Sequence, residues 1–587
     1  GPRSVRSAAL LLALLVPAAV VVAQSTYIET FEVRLQNLDV VVTDGKGKPV
    51  RGLTKEDFVV VENGEPQKIT NFAIYDAGAG TATSNAAGTD ARGEGEPESV
   101  VSAPPPRRVV FFVDELGVQR MARNRLYDSV KQFVDAMRPG DVAAVVRPTT
   151  QEKIVQEFTG DRTAIETALK AAIEDSSVEF SGPKMEVTNL RWQLKQARSP
   201  QDVRQAKREY ADAAARRVEH RLGQIRALTS SLGGVEGKKI VVVVTMGLSA
   251  KPGSEAWDYE ETTAPLQQPG MLTQQANDPN KGPVEVPSPD DPERIVHPVI
   301  RDLTPAIRDI ARTAAANGVT IYAIEPDVPL ELGVRASASV GSKVGASQGG
   351  DSGPDPISLI TRGFQTDFLQ NGAVTLTSLT EPTGGRWFRG LSNIDDTFRQ
   401  VSEDLSFYYS LAYRATGQAQ NGRRVAVSIR NRPELRVRTR AEALEKSTES
   451  EMTDLVVASL LYPRTVNELG ITVTPGTPAK DRGLFTVPLD VVIPLKNLTF
   501  LPADGGKYAA SFDLHYAASG EKRDFGTGGM RQQKIELTPE QYAAVGTTTY
   551  RYKTGIQVSP GRARIAIGVL DLATKLTGFR TVEVVAQ

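Results

Sequence analysis

The sequence predicts an α/β domain of alternating strands and helices, flanked by β segments and followed by an antiparallel β-sandwich. Residues 107–414 alternate apolar strand-like runs with amphipathic stretches, which is the pattern of a doubly wound sheet. β-like runs precede this region at 24–76 and follow it at 415–449. Residues 450–587 contain roughly seven strand-like runs and no long helical pattern, which is typical of a sandwich.

The first residues have the three-part pattern of a secretory signal. Arg3 and Arg6 precede an apolar run over 8–23 that ends in small residues, and cleavage is expected before Gln24. This run is shorter than the ~20 residues of a membrane-spanning helix, although an uncleaved anchor stays open. Residues 1–23 are therefore expected to be a signal peptide, and the mature chain a periplasmic or secreted protein without a membrane span.

Charge, cysteine and histidine content exclude several classes of protein. The net charge is −1, so no overall field attracts nucleic acid or an anionic membrane. The absence of cysteine excludes disulfides, thiolate metal sites and a cysteine nucleophile. The three histidines, His220, His297 and His515, are too scattered to form a metal-ligand motif.

The N-terminal β segment, residues 24–76, contains an apolar strand at 38–43 and a hairpin at 58–69. The hairpin is centred on Asn63-Gly64, a pair that tolerates the positive φ angles of a type I′ turn. Residues 77–106 are rich in Ala, Gly, Ser and Thr and are expected to be a flexible linker.

The α/β region alternates as a doubly wound fold requires. Strands are expected at 109–113, 141–147, 154–158, 239–245, 319–324, 386–388 and 408–413, and helices at 123–137, 161–170, 300–317, 368–380 and 394–405. Three insertions interrupt it: a helical one at 185–232, a Pro- and acid-rich loop at 250–297, and a Gly/Ser/Ala-rich stretch at 333–357 that is expected to be mobile. The β segments on both sides are expected to pair, which would make the α/β domain an insertion in a small β domain.

The helical insertion is expected to hold two helices, the second longer and starting at Ser199-Pro200 with Asp202 in its first turn. Ten Lys/Arg against four Asp/Glu occur between Arg191 and Arg226. An anion-binding surface is one interpretation. The favoured one is a solvated helix pair whose charges, such as Asp212 with Arg208 or Arg216 and Glu219 with Arg216, pair along the helix. Its apolar stripe, Val218, Leu222, Ile225 and Leu232, is expected to pack on the domain or on a second copy.

Several strings, in this order, resemble a bacterial family of exported proteins with a von Willebrand factor A-related domain. They are Val40–Asp44, Gly52–Phe58 and Glu62–Gly64 before the α/β region, and Thr383–Arg386 and Glu403–Tyr409 at its end. The resemblance covers about residues 30–440 and implies a Rossmann-like α/β domain. Members of the family mostly have no assigned activity.

The resemblance implies a metal site of the von Willebrand factor A type, in which an Asp-x-Ser-x-Ser loop and a later Asp hold a metal ion. Asp114 ends a strand at the corresponding place, but Leu116, Val118 and Met246 stand where the other oxygen ligands would be. Glu115 lies on the opposite strand face, and Thr188 is a weak match for the family's Thr. Because Mg²⁺ demands near-octahedral oxygen ligands, no metal or other cofactor is expected, and Asp114 is expected to cap the next helix or accept loop amides.

The favoured function is a non-enzymatic binding protein of adhesion type, with an unidentified protein partner and no nucleic acid. The partner-binding rim would be formed by Asp114, Glu115, Met246 and Pro326 at the carboxyl ends of the strands. The alternatives are a cell-envelope hydrolase with this domain as an accessory and a structural envelope scaffold. The Gly-x-Ser-x-Gly match at 345–349 lacks the strand and helix of a nucleophile elbow.

Overall fold

The computed structural model describes residues 35–77, 100–102, 105–114, 120–148, 153–179, 181–197, 199–245, 248–256, 300–325, 372–390, 394–415, 423–443, 447–461, 466–520 and 528–587. The predictions for the signal peptide, most of the linker, most of the 250–297 loop and the 333–357 stretch fall outside these residues, as does His297. None of the described helices combines the length and apolar character needed to cross a membrane.

The strands are numbered in chain order. They are β1 (Leu35–Thr43), β2 (Phe58–Glu62), β3 (Glu65–Gln67), β4 (Ile69–Asp76), β5 (Val100–Ser102), β6 (Arg107–Val113), β7 (Val142–Arg147), β8 (Lys153–Thr159), β9 (Lys238–Val244), β10 (Val319–Glu325), β11 (Trp387–Arg389), β12 (Phe407–Arg414), β13 (Arg423–Ile429), β14 (Arg436–Arg438), β15 (Glu442–Ala443), β16 (Thr472–Pro475), β17 (Ala479–Asp481), β18 (Leu484–Pro494), β19 (Leu501–Pro502), β20 (Tyr508–Ser519), β21 (Gly529–Leu537), β22 (Thr549–Val558), β23 (Gly561–Asp571) and β24 (Thr577–Ala586).

The helices are numbered in the same way. They are α1 (Arg120–Asp135), α2 (Arg162–Glu179), α3 (Ser181–Gln196), α4 (Pro200–Ser231), α5 (Thr304–Ala316), α6 (372–380), α7 (Ile394–Ser406), α8 (Thr448–Leu461) and α9 (Pro539–Ala543).

The central sheet has the strand order β11-β10-β9-β6-β7-β8, in which β8 alone runs antiparallel to its neighbour. Its strands are apolar on both faces because helices cover both. Helices α1, α2 and α7 pack on one face, and α4, α5 and α6 on the other. The doubly wound α/β architecture follows from this order and layering, and the carboxyl ends of the parallel strands meet at one edge.

Several element boundaries differ from those expected. Helix α2 continues to Glu179 because Ala172 and Ile173 extend its buried stripe beyond residue 170. Helix α5 starts at Thr304 instead of residue 300 because Pro305, in its first turn, fixes the start. The 408–413 run forms a strand, β12, but it lies outside the central sheet, between β1 and β4.

Two further sheets contain the β segments that flank the central sheet. Their orders are β14-β1-β12-β4-β5 and β15-β13-β2-β3, and they share one core. The expected pairing is present, since β2 pairs with β13 and β1 with β14. The Asn63-Gly64 turn has the predicted positive φ angles, 51° and 93°. A buried ion pair also joins the two segments, with 2.6 Å between Arg423 Nη1 and Glu62 Oε1.

Residues from 466 onward form two antiparallel sheets around a shared core. One sheet joins β16, β17 and β22 to β18, and the other has the order β19-β20-β23-β24 with β21 paired to β20. The expectation that this part of the chain lacks a long helix is wrong, because α8 precedes the sheets and packs on β20 and β23. Its buried Met452, Val456 and Leu460 recur every four residues, which is helical spacing.

Candidate functional site

Four polar side chains form one row across the carboxyl edge of the central sheet. Asp114 directly follows β6 and Thr245 directly follows β9, while Glu325 ends β10 and Arg389 ends β11. The strand registers place these four positions side by side. Adjacent strands are ~4.8 Å apart, so each side chain in the row is within reach of the next.

Asp114 is buried and held by a cation from the helix layer. Arg221 Nε on α4 lies 2.8 Å from Asp114 Oδ1, and both side chains are 8% exposed. Thr245 Oγ1 donates a hydrogen bond of 2.8 Å to Asp114 Oδ2. Arg221 Nη1 also donates to the carbonyl oxygen of Pro148, at 2.8 Å. The negative charge of Asp114 is therefore compensated within the protein.

The position of Arg221 follows from the packing of α4. Val218, Leu222, Ile225 and Leu232 lie in the core against the central sheet, so the expected packing of this stripe on the domain is confirmed. The predicted helix start is also confirmed, since the Ser199 side chain accepts the backbone N–H of Asp202 in a capping box. Arg221 precedes Leu222 in the chain and lies four residues before Ile225, so it is held at the side of the buried stripe.

The described residues do not fit a divalent metal ion. One oxygen of Asp114 is paired with a guanidinium group and the other accepts a hydroxyl, whereas Mg²⁺ requires several free oxygens in near-octahedral geometry. The described part of the chain holds no group of three His, Asp or Glu side chains that could bind a metal ion. Leu116, Val118 and Met246, which stand at the other ligand positions, lie outside the described residues, as do Glu115 and Pro326 of the expected rim.

Two residues that contact Asp114 were not predicted from the sequence. Arg221 is one of the ten basic residues for which a solvated helix pair is the favoured interpretation, yet it is buried, as its place beside an apolar stripe indicates. Thr245, rather than Thr188, is the threonine that contacts Asp114; Thr188 is exposed on α3. The expectation that Asp114 caps the following helix concerns residues 115–119, which are not described.

Glu325 is the second buried carboxyl group of the row. Its side chain is fully buried. Burial raises the pKa of Glu325 to about 7, while Arg389, whose Nε lies 3.5 Å from Oε2, opposes the shift. Glu325 therefore changes its charge near neutral pH, at the edge of the sheet that carries Asp114.

Replacing Glu325 with glutamine is expected to remove a pH-dependent loss of stability. The pKa of Glu325 is about 7 in the folded protein and 4.5 in the unfolded chain. Between pH 4.5 and pH 7 the folded protein therefore binds more protons than the unfolded chain, so its stability falls as the pH rises through this range. The full loss is about 3 kcal/mol. Thermal melting should show Glu325→Gln equal to the wild type near pH 4 and more stable at pH 8. An equal pH dependence in Glu325→Gln and in the exposed control Glu381→Gln would contradict this.

A helical hairpin extends past the carboxyl edge of the sheet. Helices α3 and α4 run antiparallel, with ion pairing between Glu186 and Arg217 and a 3.0 Å hydrogen bond from Gln193 to Glu209. Since α4 crosses the sheet edge at Arg221, its first residues reach about 30 Å beyond it at 1.5 Å per residue. Trp192 on α3 is 61% exposed on this hairpin.

The acidic residues of α4 connect it to the segment before α5. Asp212 and Glu219 pair with Arg301, at 3.8 and 3.0 Å. The expected pairs of these acids with Arg208 and Arg216 along the helix are therefore wrong for the described residues. These ion pairs of Asp212 and Glu219 attach the hairpin to the rest of the α/β unit.

The two described histidines lie on different elements of the fold. His220 is exposed on α4, and His515 is buried on β20, where its Nδ1 lies 3.3 Å from Thr453 Oγ1 of α8. Burial lowers the pKa of His515, so its ring is held neutral between sheet and helix. This is the environment of a packing residue.

Comparisons with known proteins give distant structural similarities. No family model and no curated protein matches the sequence. Proximal thread matrix protein 1 of the mussel byssus aligns over 51% of this chain and 48% of its own, with 11% identity and a TM-score of 0.21. A von Willebrand factor type A structure from Catenulispora acidiphila aligns over 82% of this chain and 67% of its own, with 10% identity and a TM-score of 0.22.

The von Willebrand factor domain of the type V pili tip protein Mfa5 from Porphyromonas gingivalis aligns over 55% of this chain and 100% of its own, with 12% identity and a TM-score of 0.22. The alignment with the mussel protein, in contrast, spans only about half of that protein's length.

Proposed function

We propose that residues 107–406 form a von Willebrand factor A-type domain that binds a protein partner without a metal ion and without catalysis, in an exported protein. The observation that carries the proposal is the ion pair of Arg221 with Asp114, 2.8 Å long. It supplies internally the positive charge that a metal ion would bring to this carboxylate. The strand order and the sequence strings around the domain support the family assignment.

The carboxyl edge of the sheet is the binding surface in this proposal. Ligands of open α/β sheets bind at this edge, where the loops that follow the strands meet. The hairpin of α3 and α4 extends that edge and presents Trp192, a residue type enriched at the energetic centres of protein interfaces. In this proposal a partner contacts both the edge of the sheet and the hairpin.

Calorimetry tests the metal-independent part of the proposal. The mature chain, freed of metal by chelation, should give no saturable heat with Mg²⁺, Ca²⁺ or Mn²⁺ at millimolar concentration, and its melting temperature should not change with EDTA. Sub-millimolar binding that disappears in Asp114→Asn would overturn it. Asp114→Asn keeps the shape of the side chain, so a loss of binding would report the charge.

Capture from a cell-envelope extract tests the protein-binding part. Partners retained by the wild type should be retained equally with Mg²⁺ and with EDTA, and lost or strongly reduced in Trp192→Ala. The matched control is Leu501→Ala, another exposed apolar residue, 55% exposed on β19. Equal retention by the Trp192 and Leu501 variants would place the interface elsewhere and contradict the role of the hairpin.

A further inference from the structure

A cavity lies at the amino-terminal edge of the central sheet, opposite the Asp114 row. Its volume is about 280 Å³. One wall is formed by the starts of β9 and β10 and the turns before them, and the other by β1, β12 and β14 of the flanking sheet. This volume suits a small molecule, since pockets for drug-sized ligands start at ~300 Å³.

Positive charge exceeds negative charge in the wall of this cavity. The four cations that line it are Lys238, Lys239, Arg438 and Arg440, and the two anions are Asp39 and Asp404. Asp404 is fully engaged, because Arg438 donates to both of its oxygens at 2.7 and 2.5 Å and the Tyr322 hydroxyl donates at 3.3 Å. Arg440 is the cation of the wall that forms no ion pair with a described residue.

The positive charges of Arg440 and Lys238 are only partly compensated by their neighbours. Arg440 donates to the backbone carbonyl oxygens of Ala315, at 3.1 Å, and Asn37, which are neutral acceptors. Lys238 Nζ lies 3.3 Å from Asp39 and 3.4 Å from the centre of the Tyr408 ring. The Lys238 side chain is 9% exposed, whereas the side chain of its partner Asp39 is 46% exposed, so water weakens this pairing.

Desolvation makes these cations unfavourable in the absence of a ligand. Burial lowers the pKa of both Lys238 and Arg440, and the charge of Asp39 opposes the shift in each. A buried charge is stabilised by an opposite charge at hydrogen-bonding distance. An anion placed in the cavity would provide this for both residues. Polar residues of the wall, including Asn37, Thr320 and Ser410, offer further hydrogen-bonding groups.

We propose that this cavity is a binding site for a small anion that carries phosphate or carboxylate groups, held between Lys238 on the central sheet and Arg440 at the flanking sheet. The site joins the two sheets, so the bound anion stabilises their contact. It lies at the opposite edge from the proposed partner-binding surface, and neither proposal depends on the other.

Titration calorimetry of the mature chain with inorganic phosphate and with citrate tests the site, in chloride buffer of matched ionic strength. Saturable binding with one anion per chain and a higher melting temperature is expected for at least one probe. Tighter binding of phosphate assigns a phosphate ligand, and tighter binding of citrate a carboxylate ligand. The proposal is overturned if neither anion binds saturably up to about 10 mM, ten times a weak Kd of ~1 mM.

Two variants localise the binding. Lys238→Met removes the charge but keeps the length of the side chain, and should weaken binding by about tenfold or more. Asn37→Asp is isosteric and places a negative charge beside Arg440; it should also weaken binding, and it keeps the test valid if the Lys238 variant does not fold. Lys480→Met, an exposed lysine on β17, is the control. Unchanged affinity in Asn37→Asp, or equal loss in Lys480→Met, would overturn the assignment to this cavity.

Discussion

Replacing Arg221 with alanine is expected to lower the free energy of unfolding of the α/β unit by about 3–5 kcal/mol. The substitution leaves the Asp114 carboxylate buried without its cation, while the hydrogen bond from Thr245 compensates a fraction of the charge. It also leaves the Pro148 carbonyl without the donor from Arg221. Differential scanning calorimetry of the chain from Gln24 onward should show a lower melting temperature for the transition of this unit.

A matched control lies on the same helix. Arg226 Nη2 pairs with Asp309 at 3.1 Å, but the two side chains are 62% and 51% exposed. Arg226→Ala should therefore change stability by no more than about 1 kcal/mol. The double variant Asp114→Asn with Arg221→Met should recover much of the loss, because no buried charge is left unpaired. Equal effects of Arg221→Ala and Arg226→Ala would contradict a buried ion pair at the sheet edge.

Replacing Gly385 with alanine is expected to destabilise the fold by about 3 kcal/mol or more. A Cβ atom at this position would lie 1.8 Å from the backbone oxygen of Ile321, so β10 and the segment before β11 could not keep their spacing. The neighbouring Gly384 has a φ of 82°, and the Thr383 hydroxyl accepts the Ile321 N–H at 2.9 Å. The Thr383–Arg386 string thus has a structural role beside the central sheet.

The control for this substitution is Gly223, in the middle of α4. Apart from the backbone of its own helix and its chain neighbours, no heavy atom would lie within 4 Å of a Cβ atom there, and the backbone is helical. Gly223→Ala should stabilise the protein by roughly 0.5–1 kcal/mol, because alanine loses less backbone entropy in a helix. Chemical unfolding measures the stability change of both glycine variants. A Gly385→Ala variant with wild-type stability would show that the two segments can separate without loss, against the close contact described.

The secondary structure of the central sheet could largely be predicted from the sequence, because strands buried on both faces leave long apolar runs. The run near Val241 is of this kind, and it lies in the middle of the sheet. What the runs do not specify is the partner of each strand. The sequence pattern predicts the strand at 408–413 as part of the α/β alternation, yet it pairs with β1 and β4, which come more than three hundred residues earlier in the chain.

The same distinction applies to the candidate site. Asp114 could be identified because it ends a buried strand, and the apolar residues at 116, 118 and 246 indicated that the usual ligands are missing. The ion pair with Arg221 could not be predicted, since it depends on the rotation of α4 on the sheet. Glu325 shows no local signal either, because its burial arises from elements distant in sequence.

The ends of the α/β unit lie close together on the flanking sheet. The chain reaches the unit after β5 and returns directly into β12, and Ser102 of β5 and Tyr408 of β12 both pair with Tyr75 of β4. Two strand spacings place them ~10 Å apart. A short linker across this gap could replace the whole unit and leave the flanking sheet closed, so in evolution such a unit can be gained, lost or exchanged as a cassette.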